Sequence, residues 1–169
     1  SGAHLRSYAH PLIVPTDTMD YAQLLILAKV LLGLILGGII GYERETADKP
    51  AGFRTHMLVT GAAALLVAIS DTLVASFGAA HSGGFLQADP IRVVEAIVTG
   101  ISFLGAGTIF RRSAEEQVEG LTTAASLLFS VSIGIAVALE QWTLAVGATV
   151  LAVFVLRGAS WFAPTSQST

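Results

Sequence analysis

Residues 21–42 read YAQLLILAKVLLGLILGGIIGY, and Lys29 is the only charged residue in this run. Hydrocarbon offers no water to backbone N–H and C=O groups, so an apolar run of about 20 residues must satisfy those groups within itself as a helix. Four further apolar runs of similar length follow it. The sequence therefore predicts five transmembrane helices, at residues 21–42, 56–77, 91–110, 121–139 and 142–160.

The composition of the whole chain agrees with this interpretation. Hydrophobic residues make up 53% of the 169 residues and charged residues only 12%, against about 25% in a soluble domain. The predicted fold class is all-α, a polytopic bundle of five transmembrane helices without a separate soluble domain. A net charge of −3 without a basic stripe argues against nucleic acid as a partner, and the lack of cysteine excludes disulfides and thiolate metal sites.

Positive charges are divided unevenly between the two ends of the predicted bundle. One end carries Arg44, Lys49, Arg54, Arg111, Arg112 and Arg157, whereas the other carries Arg6 and Arg92. The positive-inside rule therefore predicts an N-terminus outside and a C-terminus in the cytoplasm. Trp142 and Trp161 lie roughly 28 Å apart along the fifth helix, a distance that matches the two membrane interfaces.

The two ends of the chain differ from the apolar runs. Residues 1–18 contain two prolines, lack helical periodicity and do not begin with Met, whereas Met19 directly precedes the first run. We interpret residues 1–18 as a tag remnant or a disordered extracytoplasmic tail. Residues 19–162 then form the membrane domain, and residues 163–169 form a disordered cytoplasmic tail.

Small residues recur at helical spacing on three of the predicted helices. They are Gly33, Gly37 and Gly41 on the first helix, Gly100, Gly105 and Gly107 on the third, and Ser126, Ser130, Gly134 and Ala138 on the fourth. Such residues let neighbouring backbones approach closely, so we expect them to pack helices together. The glycines of the third helix also permit a kink or a ligand-lined break.

Three charged residues lie within the predicted spans. Counted from the predicted cytoplasmic ends, Lys29 lies about 18 Å high, Asp71 lies about 22 Å high, and Glu95 lies at a similar level. A lone charge at such depth costs at least a few kcal/mol and needs a partner. We therefore predict an intramembrane cluster of Lys29, Asp71 and Glu95, which is either a structural ion pair or a cation or proton site.

The third helix has a recognisable start at the predicted outer face. Asp89 and Pro90 match an N-cap residue followed by proline at the first helical position. Arg92 falls within the first turn, where we expect it to reach lipid headgroups or to pair with Asp89.

The predicted cytoplasmic face carries a motif of mixed charge and threonine. Its candidate residues are Glu43, Arg44, Arg54, Thr55, Thr122 and Thr123. Thr55 and Thr122 are expected N-caps, and Glu43 is expected to pair with Arg44 or Arg54. The alternative is a docking patch for a partner or a headgroup. His56 has no second His at ligand spacing, so no metal site is assigned.

Three motifs occur in order along the chain. The first is GIIGYERE at residues 38–45 with AGFRTH at 51–56, the second is DPIR at 89–92 with GISFLGAG at 100–107, and the third is GLTTAA at 120–125. Together they resemble the signatures of the MgtC/SapB family of bacterial inner-membrane proteins. The resemblance covers about residues 20–160.

This resemblance implies a five-helix membrane domain, which in many members precedes a cytoplasmic ACT-like domain. The present chain ends soon after the fifth helix, so we expect a naturally short member or a truncated chain. The best-known members are regarded as factors for virulence and adaptation to low magnesium rather than as transporters. They are thought to bind and restrain the proton-translocating ATP synthase.

Two functional hypotheses follow, and we do not expect an enzyme, because no nucleophile lies in a catalytic motif. The first is a regulator that acts by helix–helix contact with a membrane partner. The alternative is a transporter or channel for Mg²⁺ or protons that uses Asp71, Glu95 and Asp89. No cofactor is expected, and Mg²⁺ is the one ion considered. The expected partners are membrane lipid, ATP synthase or another membrane protein, and further copies in a homodimer or higher homo-oligomer.

Overall fold

The computed structural model describes residues 16–80, 90–111 and 118–162. These residues form five helices, as the apolar runs predict, and one pair of very short strands. The elements are α1 (Thr16–Thr46), α2 (Phe53–Ala80), α3 (Pro90–Gly107), β1 (Phe110–Arg111), β2 (Val118–Glu119), α4 (Leu121–Ala138) and α5 (Trp142–Phe162). The strands are antiparallel, with Phe110 opposite Glu119.

Three helices in the described part of the chain are long and apolar enough to cross a membrane. The qualifying segments are Tyr21–Thr46 in α1, Phe53–Val74 in α2 and Leu121–Ala138 in α4. Trp142–Gly158 in α5 is a shorter apolar helix. The protein is thus a helical membrane protein. The membrane crossing of α3 and α5 stays a prediction, as does the orientation of the bundle.

Close approach of two backbones joins α1 to α2. A Cβ on Gly41 would lie 2.7 Å from the Cα of Phe53, and a Cβ on Gly37 would collide with the carbonyl oxygen of His56 and the hydroxyl of Thr60. Only glycine leaves room for the neighbouring helix at these two positions. The small residues of α1 therefore lie in the contact between α1 and α2.

The fourth helix occupies the centre of the bundle and contacts each of the other four helices. One of its faces packs Ile133 and Val137 against Ile40 of α1 and Ala145 of α5. Its other side packs Leu127 and Val131 against α2 and α3. Two apolar clusters on opposite sides of α4 thus form the core, and α4 belongs to both.

Two helix starts differ from the prediction. Phe53 begins α2, and its N–H donates a hydrogen bond of 2.7 Å to Oε2 of Glu45, so a carboxylate from α1 caps this end. The N-cap of α4 is Gly120 at φ 92°, without a side-chain cap. The N-cap assignments of Thr55 and Thr122 were therefore wrong, because both threonines already lie inside their helices.

The third helix begins at Pro90, as predicted, and Asp89 lies outside the described residues. Its glycines differ in their surroundings. A Cβ on Gly105 would lie 3.4 Å from the Cβ of Ala124, whereas no described atom comes within 4 Å of one on Gly100 or Gly107. Of the three, Gly105 is thus the one that lies against another helix.

Candidate functional site

A buried ion pair lies near the end of α1. Glu43 is 6% exposed and Arg44 is 3% exposed. The Nε of Arg44 donates to Oε2 of Glu43 at 2.8 Å, and Nη2 donates to Oε1 at 3.3 Å. Charge-assisted pairs of this forked kind are strong, and burial makes each charge dependent on the other. Of the two partners predicted for Glu43, the structure shows Arg44, and the pair lies inside the bundle.

His56 lies beside this pair and is fully buried. Its Nδ1 is 3.0 Å from the carbonyl oxygen of Gly52, and its Nε2 is 3.0 Å from Oγ of Ser126 on α4. A carbonyl oxygen can only accept, so Nδ1 carries a proton. With a neutral ring, Nε2 is an acceptor for the hydroxyl proton of Ser126. This contact joins α2 to α4 at the same level as the ion pair.

The hydroxyl of Ser126 has a second acceptor within reach, the carbonyl oxygen of Thr123 at 2.8 Å. One turn further along α4, the hydroxyl of Ser130 is buried and has no hydrogen-bond partner among the described residues. The same holds for Nη1 of Arg44. The interior of the bundle therefore contains several buried polar groups, and two of their atoms make no hydrogen bond to a described residue.

The residues of the predicted cytoplasmic motif differ in burial. Glu43, Arg44 and Thr123 are buried, whereas Arg54 and Thr122 are exposed and Thr55 is half-buried. The sequence motifs indicate His56 only as a metal candidate and Ser126 only as a packing residue. One pattern in the sequence indicates a polar contact between these two residues. His56 and Thr60 lie four residues apart on α2, as do Ser126 and Ser130 on α4, and each pair marks one polar stripe.

Lys29 has a partner outside the predicted cluster. Its Nζ lies 2.8 Å from Oε1 of Glu140 and donates to the carbonyl oxygen of Ala138 at 3.1 Å. Glu140 lies in the turn between α4 and α5. Asp71 and Glu95 are exposed, and within the described residues no ion pair joins either of them to Lys29. The structure thus does not assemble these three residues into one cluster.

The fifth helix has one buried face and one free face. Ala145 and Thr149 are buried against the bundle. Opposite them lie Gly147, Leu151, Phe154 and Gly158, which we call the free face of α5. Phe154 is 73% exposed, and no described atom comes within 4 Å of a Cβ built on either glycine. The spacing of these four residues, readable in the sequence, could have indicated this surface.

A second open surface is a groove of about 550 Å³ between α2, α3 and α4. Apolar side chains form nearly all of its lining, and Arg92 contributes a cation. The described residues hold no group of three or more His, Cys, Asp or Glu residues that is arranged to bind a metal ion.

Comparison with known proteins defines the relationship of this chain. A family model described as the MgtC family matches residues 30–164. Protein MgtC of Salmonella typhimurium strain LT2 is 38% identical over 123 residues, which is 72% of this chain and 47% of that protein. The "Putative magnesium transporter YhiD" of Escherichia coli K12 is 33% identical over 129 residues, 76% of this chain and 58% of that protein.

Protein SapB of Bacillus subtilis is 32% identical over 111 residues, 66% of this chain and 46% of that protein. The chain therefore spans about half the length of these curated relatives. No solved structure matched it. The family match covers four of the five helices in full and about half of α1, and it includes the buried ion pair and the polar contact at His56. The chain belongs to the MgtC family.

Proposed function

We propose that the protein is a non-enzymatic regulator of the bacterial inner membrane that acts by helix–helix contact with a membrane partner. In this proposal, which follows the family resemblance, the partner is ATP synthase and the role is adaptation to low magnesium or virulence. The observation that carries the proposal is the free face of α5, where two glycines leave the backbone bare on either side of Leu151 and Phe154.

Helix association in lipid depends on close van der Waals packing, because apolar burial gives no net driving force there. A glycine without a side chain lets the backbone of a partner helix approach closely. The two large side chains between the glycines provide surface against which that helix can pack. The rest of the bundle provides a firm support, since α5 is packed through Ala145 against α1 and α4. The free face of α5 is therefore suited to receive another helix.

The buried polar groups also fit a scaffold better than a catalyst. Glu43 and Arg44 bind each other, and His56 binds Gly52 and Ser126. Each of these contacts joins parts of the protein itself, inside the bundle. The contact between His56 and Ser126 joins α2 to α4, and the other two contacts are local to α1 and to the start of α2.

We expect the double variant Gly147→Leu, Gly158→Leu to lose the partner while folding normally. Both positions face open space, so leucine adds no internal collision, but it blocks close approach by another helix. Co-purification of ATP synthase subunits from cross-linked membranes should fall roughly tenfold.

The matched control for this experiment is Gly107→Leu on α3, whose glycine faces equally open space. The control should retain the synthase at the wild-type level. Undiminished co-purification with the double variant would exclude the free face of α5 as the contact. Loss of a self-association instead of the synthase would assign this face to contact between copies.

A second candidate function is Mg²⁺ or proton transport. The name of the E. coli relative YhiD refers to magnesium transport. In this chain, Asp71 on α2 and Glu95 on α3 are exposed carboxylates. Mg²⁺ takes oxygen ligands and keeps several waters, so one or two carboxylates at a contact between copies would suffice.

Transport predicts a flux that depends on Asp71. In proteoliposomes, Asp71→Asn should reduce Mg²⁺ uptake at least tenfold, while Asp48→Asn should leave it unchanged. Asp48 is a suitable control because it lies in the turn after α1 at φ 54°, a conformation that asparagine also tolerates. Equal uptake by liposomes with and without wild-type protein would reject this second function.

A further inference from the structure

Among the described residues, the groove between α2, α3 and α4 combines an apolar lining with one cation. Val59 and Leu66 of α2 form one side, and Ala96, Gly100 and Leu104 of α3 form the other. Its volume of about 550 Å³ lies in the range of about 300–1,000 Å³ that is typical of small-molecule sites. Arg92 is the cation, and it lies in the first turn of α3. The groove therefore has a positive charge at the end where Arg92 lies, and the rest of its described lining is apolar.

The length of the groove matches one leaflet of a membrane. Arg92 and Leu104 are separated by twelve residues, which is about 18 Å along a helix. Half of a typical hydrocarbon core is about 15 Å. An acyl chain that follows α3 from Arg92 thus reaches the middle of the bilayer near the end of the groove. The open space above Gly100 leaves room for it.

Arg92 is exposed, and no ion pair to another described residue occupies it. Glu95 follows one turn later on the same helix, but the described residues show no ion pair between the two. A guanidinium matches a phosphate with two parallel hydrogen bonds, and a charge at the edge of a membrane is stabilised by such a partner. The apolar groove alone would not distinguish lipids, so Arg92 supplies the selectivity.

We propose that this groove is a binding site for an anionic phospholipid. One acyl chain lies along α3 from Arg92 to Leu104, and the phosphate, whose negative charge no headgroup cation offsets, meets Arg92. The site is independent of the free face of α5, which belongs to a different helix. Occupation by lipid fills the space between α2 and α3.

The test uses the full chain in detergent and native mass spectrometry with two lipids that share the same acyl chains. Phosphatidylglycerol carries a net negative charge, and phosphatidylcholine does not. Wild-type protein should bind phosphatidylglycerol roughly tenfold more tightly, and Arg92→Gln should reduce this preference to about one. Arg54→Gln, at an exposed arginine outside the groove, should leave the preference unchanged.

The acyl-chain site has its own test. Gly100→Leu fills the groove from α3 and Ala62→Leu fills it from α2, so both variants should lose bound lipid of either type. Gly107→Leu, at an open glycine that does not line the groove, should retain it. Comparison of two filling variants keeps the test valid if one of them fails to fold.

Four results would overturn the proposal. The first is unchanged lipid selectivity in Arg92→Gln, and the second is full lipid binding by both groove-filling variants. The third is displacement of phosphatidylglycerol by inorganic phosphate alone, which would assign Arg92 to a free anion. A shift from dimer to monomer in the filling variants, without any lipid adduct in the wild type, would assign the groove to a second copy and would also reject the proposal.

Discussion

Replacement of Gly37 by leucine should abolish folding of the bundle. A Cβ at this position already meets the carbonyl oxygen of His56 and the hydroxyl of Thr60, and it would lie 2.8 Å from the Cβ of Thr60. Backbone atoms cannot move aside as a flexible side chain can. We expect a loss of more than about 3 kcal/mol, because overpacking of a well-packed core commonly costs 1–3 kcal/mol even without a backbone collision.

The measurement is the midpoint of unfolding in SDS, together with the fraction of monodisperse protein on size exclusion in mild detergent. Gly147→Leu is the control, since it makes the same change at a helix position that faces open space. An unchanged midpoint for Gly37→Leu would mean that α1 and α2 do not depend on close contact. A bulky residue at position 37 therefore tests folding and cannot be used to test partner binding.

Removal of the carboxylate at position 43 should have the second large effect. Glu43→Ala leaves the guanidinium of Arg44 buried without a counter-charge, and Nη1 of that side chain already has no partner among the described residues. Breaking a buried pair from one side typically costs about 3–5 kcal/mol. We expect a loss of this size in the free energy of unfolding.

Two comparison variants test whether the loss of stability in Glu43→Ala comes from the burial of the pair. Glu140→Ala removes the partner of Lys29, but the side chain of Glu140 is 64% exposed, so its loss should cost no more than about 1 kcal/mol. The double variant Glu43→Leu, Arg44→Met removes both buried charges and should recover most of the stability lost by Glu43→Ala. Equal losses in Glu43→Ala and Glu140→Ala would contradict the buried character of the first pair.

Local features of the sequence were enough to predict the helices. Apolar runs of sufficient length marked all five, and Pro90 marked the start of α3. The ends were less predictable where a distant side chain decides them. Glu45 caps α2 from the end of α1, and no pattern within α2 itself contains that information.

The neighbours of charged residues could not be predicted in the same way. Counting residues gives the height of Lys29 in the membrane but not which helix lies beside it. Its partner Glu140 lies in a turn, where a charge needs no special explanation, so nothing in the sequence drew attention to it. The burial of Glu43 and Arg44 similarly depends on how α1, α2 and α4 meet, which is a property of the assembled bundle.

The bond between Lys29 and the turn after α4 also sets the shape of the protein in a bilayer. It fixes Lys29 level with the end of α4, yet α1 continues from Lys29 back to Thr16, roughly 20 Å further along the helix. The 31 residues of α1 span roughly 46 Å, whereas the 18 residues of α4 span roughly 27 Å. Because α4 lies at the centre of the bundle, the first turns of α1 project past the end of the core, and no part of α4 supports them there.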